Sequence, residues 1–235
     1  MDNILDNIRT QLKYSIDEKT LATSQNFFKE KIKFYGVKVP TVNKISKEFF
    51  KLLDCETKSG IFDRCEMLWQ SGFIEESFIA CNWSYYVHKQ YEPVDFSRFE
   101  RWITNYVTNW ASCDTLCNHT VGEFLEMYPQ YVVRLKEFAK SENRWLRRAS
   151  SVSLIIPARK GKFLGEILEI ADILLLDKDD LVQKGYGWML KAASEAHQQQ
   201  IFAYVLKNKS VMPRTALRYA IEKMPIELKK KAMER

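Results

Sequence analysis

The sequence predicts an all-α protein built as a solenoid of stacked helical pairs. Only eight glycines and six prolines interrupt the 235 residues, and no alternation of apolar and polar residues is long enough to predict a sheet. Apolar residues instead recur with the 3.6-residue period of a helix along nearly the whole chain. In stacked pairs the second helices line a concave face. Ordinary globular packing of helices is the alternative that this pattern leaves open.

The amphipathic stretches follow one another with short breaks. They cover residues 3–15, 18–34, 41–54, 59–70, 73–89, 95–107, 110–127, 130–140, 163–175, 180–196, 198–207 and 213–222. The second helices of successive pairs are expected to begin near Ser77, Asp114, Arg147, Gln183 and Arg214. Their average spacing, in the mid-thirties, is slightly tighter than the usual helical-pair repeat of about 40 residues. No linker divides the chain, so we expect one domain over 1–235, with an N-terminal helical cap over about 1–39.

One further helix is predicted between Asn143 and Pro157. Its apolar side carries Trp145, Ala149, Val152 and Ile156, and its opposite side carries Arg144, Arg148 and Ser151. The helix is expected to end near Ile156, because proline disfavours helical geometry in the residue before it.

Composition and charge favour an ordinary folded protein with a polyanionic partner. Hydrophobic residues make up 46% of the chain, charged residues 28%, and the net charge is +6. No apolar run approaches a membrane span, and the acidic amphipathic start is unlike a signal peptide. The five cysteines are scattered, odd in number and best explained as buried reduced thiols. We therefore expect a cytoplasmic protein that works without a membrane.

Metal and nucleotide cofactors find no support in the sequence. Cys113 and Cys117 have a spacing close to that of metal ligands, but His119 is too near to supply the second half of a zinc finger. The chain has no P-loop, no HExxH and no closed Cys/His set. We expect no cofactor and no metal.

Positive charge is concentrated in the second half of the chain. A single cation in such a run is most often solvated, but the set as a whole predicts a basic groove that follows phosphates. The residues concerned are Arg144, Arg147, Arg148, Arg159, Lys160, Lys162, Lys184, Lys191, Arg214 and Arg218. Lys184, Trp188 and Lys191 are spaced to share one helix face.

The most distinctive group of residues is Trp110 and Asp114, followed by Arg148 and Trp188 in two later helices. Four residues are about one helical turn, so the indole and the carboxylate are expected on the same helix face. Spacing alone leaves an alternative for Asp114, which would also suit the N-cap of the following helix. The other four tryptophans are predicted core anchors, namely Trp69, Trp83, Trp102 and Trp145.

The chain resembles the AlkD-like DNA alkylation repair glycosylases. The resemblance runs from FFKEKIKFYGVKVP to PRTALRYAIEKMP and rests on motifs in a specific order. They are W-x-x-x-D at Trp110 and Asp114, W-L-x-R-A at Trp145 to Ala149, the ARKGK loop, and G-W-x-L at Gly187 to Leu190. The resemblance implies a right-handed solenoid of HEAT-like helical pairs whose concave basic face holds duplex DNA.

The resemblance also implies roles for individual residues. Trp110 and Trp188 would flank the lesion, Asp114 would be catalytic, and Arg148 would contact the DNA backbone near the lesion. Phe27 stands where a family tyrosine can contribute to the site, so it is expected to contact DNA without a hydroxyl. Arg147, Arg159, Lys160, Lys162, Lys184, Lys191, Arg214 and Arg218 are the other expected DNA contacts.

The expected activity is hydrolysis of the N-glycosidic bond of cationic N3- or N7-alkylated purines in duplex DNA, by a monomer. No lysine nucleophile lies next to Asp114, so no strand-cleaving lyase step is expected. Two alternatives remain open at this point. One is a non-catalytic helical-repeat binder of bent, branched or damaged DNA, and the other is a scaffold for an acidic protein.

Overall fold

The computed structural model describes residues 3–234, and helices dominate it. Among these residues no extended strand is present. Lys33 and Phe73 form an isolated parallel β-bridge. The all-α prediction is therefore confirmed. Residue contacts divide the chain into two compact units, one ending at Leu116 and the other beginning at Cys117.

The first unit is built around a helix, α5, that has helices packed on several sides. Its helices are α1 (Asn3–Tyr14), α2 (Glu18–Ser24), α3 (Val39–Phe50), α4 (Lys58–Gln70), α5 (Ile74–Tyr86), α6 (Asp95–Asn105) and α7 (Trp110–Thr115). Helix α5 packs against α3, α4 and α7. Trp69, Trp83 and Trp102 are buried in this core, as predicted. Phe62 meets Trp102 edge to face, with ring centroids 5.6 Å apart, a favoured aromatic geometry.

The second unit shows the same arrangement with α13 at its centre. Its helices are α8 (Gly122–Met127), α9 (Val132–Ala139), α10 (Arg144–Val152), α11 (Ile155–Arg159), α12 (Leu164–Leu174), α13 (Asp180–Ala193), α14 (Gln198–Asn208), α15 (Arg214–Ala220) and α16 (Ile226–Met233). Helix α13 packs on its own partner α12 and also on α10 and α15. Second helices therefore lie against second helices, as expected of stacked pairs.

The predicted repeat is confirmed by where these second helices begin. Helices α5, α7, α10, α13 and α15 start 34 or 36 residues apart. Polar contacts join residues that are one such interval apart in sequence. They include Arg98 with Asp63, Arg101 with Glu66, Ser77 with Ser112, Arg144 with Asp179, and Lys160 with Glu126. Within each unit, polar side chains thus join residues that are about one repeat apart in sequence.

The predicted helix over 18–34 is wrong beyond residue 27. Helix α2 ends at Ser24, a 3-10 turn covers Gln25–Phe27, and the following residues are not helical. Lysines alternate there with Glu30, Ile32 and Phe34. A period of two is typical of extended chain and outweighs the weak helical pattern.

Two other predicted helices are interrupted. The stretch 110–127 contains a π-helical segment, Leu116–Val121, between α7 and α8, and such segments are frequent at functional sites. The helix predicted to end near Ile156 ends at Val152, and Pro157 lies within the short helix α11 instead. Proline is tolerated there because the first turn of a helix does not use its N–H groups.

Helix α16 is not among the amphipathic stretches predicted from the sequence, which end at residue 222. Of its residues only Ala232 is fully buried, so the sequence lacks an apolar stripe. The Lys209 ammonium donates hydrogen bonds to the carbonyls of Lys231 and Glu234 at its carboxyl end. A cation there complements the helix dipole.

A buried carboxylate fixes the path of the chain before α3. Glu75 is 3% exposed and accepts hydrogen bonds from the backbone N–H groups of Tyr35, Gly36 and Val37, at 3.0, 2.8 and 3.1 Å. Its neighbour Glu76 accepts a 2.7 Å hydrogen bond from the Tyr35 hydroxyl. Hydrogen bonds to an ionised acceptor are stronger than neutral ones, so this segment is held firmly against α5.

Replacing Glu75 with alanine should lower the free energy of unfolding by about 3 kcal/mol or more. The substitution leaves three buried N–H groups without an acceptor, and each such group costs roughly 1–3 kcal/mol. Urea denaturation measures the change. Glu48→Ala, at an exposed site whose ion pair with Lys44 spans 3.9 Å, is the control and should change stability by about 0.5 kcal/mol at most. Equal stability of the two variants would contradict this role of Glu75.

Candidate functional site

Asp114 lies inside α7, one turn after Trp110. The helix starts at Trp110 because Asn109 caps it: the Asn109 side-chain oxygen accepts a 2.8 Å hydrogen bond from the Ser112 backbone N–H. The chain then continues from Leu116 into the π-helical segment. The alternative that Asp114 is an N-cap is therefore wrong. Its carboxylate is half-buried on the same helix as the indole.

A buried chain of hydrogen bonds fastens α7 to α5. The Asn109 amide donates to the Ser112 hydroxyl at 3.1 Å, and the Ser112 and Ser77 hydroxyl oxygens lie 2.7 Å apart. Because the Ser77 hydroxyl donates to the Ile74 carbonyl, the proton between the two serines comes from Ser112. All the groups in this chain are satisfied, which rigidifies the start of α7.

Aromatic residues from the N-terminal segment hold the indole of Trp110. Its Nε1 donates a 3.3 Å hydrogen bond to the Phe27 carbonyl, and its ring stacks on Phe28 at a centroid distance of 5.7 Å. The Phe27 ring itself is 70% exposed. Beside these rings lies a largely apolar cavity of about 270 Å³. Its lining includes Phe27, Phe28, Phe34, Val37, Phe78 and Trp110.

The six tryptophans fall into two classes by burial. Trp69, Trp83, Trp102 and Trp145 are between 0% and 8% exposed, so the prediction that they are core anchors is confirmed. Trp110 and Trp188 are half-buried and keep part of the indole accessible. The two tryptophans expected to flank the lesion are thus the two whose indoles are accessible to a ligand.

In the second unit, Trp188 lies on α13 next to a glycine that the packing requires. A Cβ added to Gly187 would lie 2.8 Å from the Ala216 carbonyl oxygen and 2.7 Å from Tyr219 Cβ. The backbone of α15 therefore approaches α13 closely at this point. The glycine of the G-W-x-L motif thereby fixes the position of α13, and Trp188 with it.

Arg148 is buried, with 5% of its surface exposed, and its Nη1 donates to the Leu181 carbonyl of α13. The polar side predicted for its helix is therefore not a solvated face, since Ser151 is fully buried as well. Helix α13 covers this side of α10. The guanidinium is consequently held in one place before any ligand binds.

Most of the cations expected to contact DNA already have a carboxylate partner. The pairs are Arg147 with Asp177, Arg159 with Glu195, Lys160 and Lys162 with Glu126, Lys184 with Asp180, and Lys191 with Glu222. Burial favours a raised pKa for Glu126, but hydrogen bonds from both lysines outweigh it and lower that pKa. Arg214 and Arg218 are exposed, and within residues 3–234 neither has a carboxylate within ion-pair distance. Their contact with DNA stays a prediction.

No metal-binding cluster is found in the described part of the chain, 3–234, where no three His, Cys, Asp or Glu side chains gather. Cys113 and Cys117 are buried and form no disulfide, as expected, whereas Cys55 is exposed, contrary to the prediction. In the same range no helix is long and apolar enough to cross a membrane.

The comparison with family models decides to which family the chain belongs. The model for the DNA alkylation repair enzyme family matches residues 8–224. The chain belongs to this family. Membership confirms the resemblance and gives the chain a role in DNA alkylation repair, with DNA as its partner. A search of curated proteins finds no match.

A solved structure supports the fold of this DNA alkylation repair family member. The chain is similar to a predicted DNA alkylation repair enzyme from Enterococcus faecalis, with a TM-score of 0.80. The similarity covers 90% of this chain and 98% of that chain at 17% identity. At this identity it shows the fold alone, and it agrees with the predicted stack of helical pairs.

Several residues that position Trp110 were missed by the sequence reasoning. Asn109 had a recognisable signal, because an asparagine directly before an amphipathic run is a typical N-cap. Phe28 and Glu75 had none, since their contacts join segments far apart in sequence. The sequence identified the aromatic and the carboxylate of this site but not what holds them.

Replacing Asn109 with alanine should lower the free energy of unfolding of the protein by about 1–2 kcal/mol, because α7 loses its cap and the Ser112 hydroxyl loses a hydrogen-bond donor. Asn109→Asp is the matched control, since it keeps the accepting oxygen. Thermal unfolding should rank wild type above the aspartate variant and both above the alanine variant. Equal melting temperatures for the two variants would show that the cap does not fix α7.

Proposed function

We propose that the protein is a monofunctional DNA glycosylase that hydrolyses the N-glycosidic bond of cationic N3- or N7-alkylated purines in duplex DNA. The observation that carries the proposal is the pairing of a half-buried carboxylate, Asp114, with a half-buried indole, Trp110, one turn earlier on α7. Asp114 does not serve as a helix cap. Membership in the DNA alkylation repair enzyme family supplies the context.

The chemistry needs little more than a carboxylate. A purine alkylated at N3 or N7 carries a positive charge, so it leaves as a neutral base without protonation by a general acid. Loss of the base makes the sugar oxocarbenium-like. The proposed role of Asp114 is to stabilise that cation and to orient and deprotonate the attacking water. Water supplies the hydroxyl group to C1′, and its proton passes to the carboxylate.

The two accessible tryptophans suit a cationic ligand. The face of an indole attracts a positive charge with about 0.5–2 kcal/mol. We assign Trp110 and Trp188 to contacts with the damaged nucleotide. The hydrogen bond to the Phe27 carbonyl and the Phe28 ring hold Trp110 in advance, so little ordering is left for the binding step.

Arg148 is proposed to contact the DNA backbone near the lesion. Its guanidinium is already ordered by the Leu181 carbonyl, and a pre-ordered arginine loses little entropy when it binds a phosphate. The exposed Arg214 and Arg218 are proposed to hold the backbone further away. The ion-paired cations, such as Lys160, would have to leave a carboxylate to do the same, so we assign them smaller contributions.

Replacing Asp114 with asparagine should lower the rate of 7-methylguanine release from methylated duplex DNA by about 100- to 1000-fold, as loss of one transition-state contact typically does. Affinity for the duplex should change less than about threefold. Single-turnover base release and fluorescence anisotropy measure the two quantities. Asp63→Asn, which alters an exposed carboxylate paired with Arg98, is the control and should keep wild-type rates.

Normal release by the Asp114 variant would contradict the assigned role of the carboxylate. Wild-type protein that binds DNA in a salt-dependent manner but releases no base would contradict the glycosylase. It would favour a family member that only binds damaged or bent DNA.

A further inference from the structure

The residues between the 3-10 turn and α3 form a non-helical segment with two distinct faces. Lys29, Lys31 and Lys33 are exposed. The residues that alternate with them are half-buried, namely Phe28, Glu30, Ile32 and Phe34. This strict alternation is the side-chain pattern of extended chain. The segment therefore presents a lysine at every second residue on its outer face.

The backbone of this segment is anchored from one side. The Gln25 side chain donates to the carbonyls of Phe28 and Glu30 at 3.3 and 2.8 Å, and accepts from the Ile32 N–H at 3.3 Å. The Lys33 carbonyl accepts a 3.0 Å hydrogen bond from the Ile74 N–H at the start of α5. These contacts fix which residues face inward, and the lysines face outward as a consequence.

The three lysines differ from most of the cations in the second unit. In the part of the chain that the structure describes, none of them has a carboxylate oxygen within ion-pair distance. Lys160, by contrast, lies 2.6 Å from Glu126. Residues 29–33 carry three lysines and one carboxylate, that of the half-buried Glu30, so the exposed outer face is positively charged and attracts a polyanion.

The lysine row also adjoins the candidate site within the first unit. Lys29 directly follows Phe28, whose ring stacks on Trp110, and Phe27 accepts the Trp110 hydrogen bond. The row therefore begins one residue after the phenylalanines that hold the indole we assign to the damaged nucleotide.

We propose that Lys29, Lys31 and Lys33 bind the phosphates of the DNA strand next to the lesion. Four residues of extended chain span at most about 13 Å, which is long enough for the lysines of the row to reach different phosphates of one strand. With one phosphate for each lysine, the row can make up to three phosphate contacts. This inference rests on the proposed function, because it takes DNA as the ligand. It adds a DNA-contacting surface that the basic groove predicted from the sequence did not include.

The test compares two triple variants of equal charge. Lys29→Gln, Lys31→Gln and Lys33→Gln together remove the row. Lys44→Gln, Lys47→Gln and Lys51→Gln together remove three exposed lysines on and directly after α3. Fluorescence anisotropy with an undamaged duplex gives the affinity of each as a function of salt. Melting temperatures confirm that both variants are folded.

Loss of the row should weaken duplex binding at least tenfold and lower the slope of log K against log salt by about 2–3, near 0.9 for each phosphate contact. The α3 triple should bind within about twofold of wild type. Equal affinities for the two triples would overturn the proposal, and this is also the result expected if the row serves an acidic protein.

Base release separates this proposal from the proposed function. If wild type releases no base but the row variant still loses affinity, the glycosylase is wrong and the row stands. If wild type releases base and both triples bind alike, the row is wrong and the glycosylase stands.

Discussion

The first unit depends on the Glu75 carboxylate. This group is buried and accepts three consecutive backbone N–H groups, those of Tyr35, Gly36 and Val37. A buried charge is costly unless it is fully hydrogen-bonded, so the carboxylate and the segment stabilise each other. The segment in turn carries Phe27 and Phe28, which hold Trp110. A single acidic residue on α5 therefore links the N-terminal part of the chain to the side chain that we assign to the lesion.

The sequence predicted those features of the fold and site that repeat or form local motifs. The helical period gave the all-α class, and the spacing of the second helices agrees with the starts of α5, α7, α10, α13 and α15. The shared helix of Trp110 and Asp114 followed from their four-residue spacing. The π-helical turn after Thr115 and the extended lysine segment were missed. The alternating lysines were a local signal of extended chain that the helix predicted over 18–34 overrode, whereas no local pattern marks the π-helical turn.

The basic residues of this protein fall into two groups, those paired with a carboxylate and those without such a partner in the described chain. Along the repeats, acidic and basic side chains pair across an interval of about one repeat, as Arg98 does with Asp63 and Lys160 with Glu126. Such pairs add little stability when exposed. In each of them, however, a carboxylate neutralises a cation, and the sequence alone would assign cations such as Lys160 to DNA. Lys29, Lys31, Lys33, Arg214 and Arg218 lack such partners in the described chain. The number of basic residues therefore overstates the surface that can attract a phosphate backbone. The cations best placed to do so are these five residues and not the ion-paired ones.

The central claim is that the protein relies on the positive charge of the lesion and contributes a carboxylate and indole faces to the reaction. A neutral base lacks that built-in activation and would need a general acid. The most direct measurement compares release of 7-methylguanine and of hypoxanthine from otherwise identical duplexes under single-turnover conditions. The account predicts release of the cationic base and none measurable of the neutral one. Release of both at similar rates, or of neither, would contradict it.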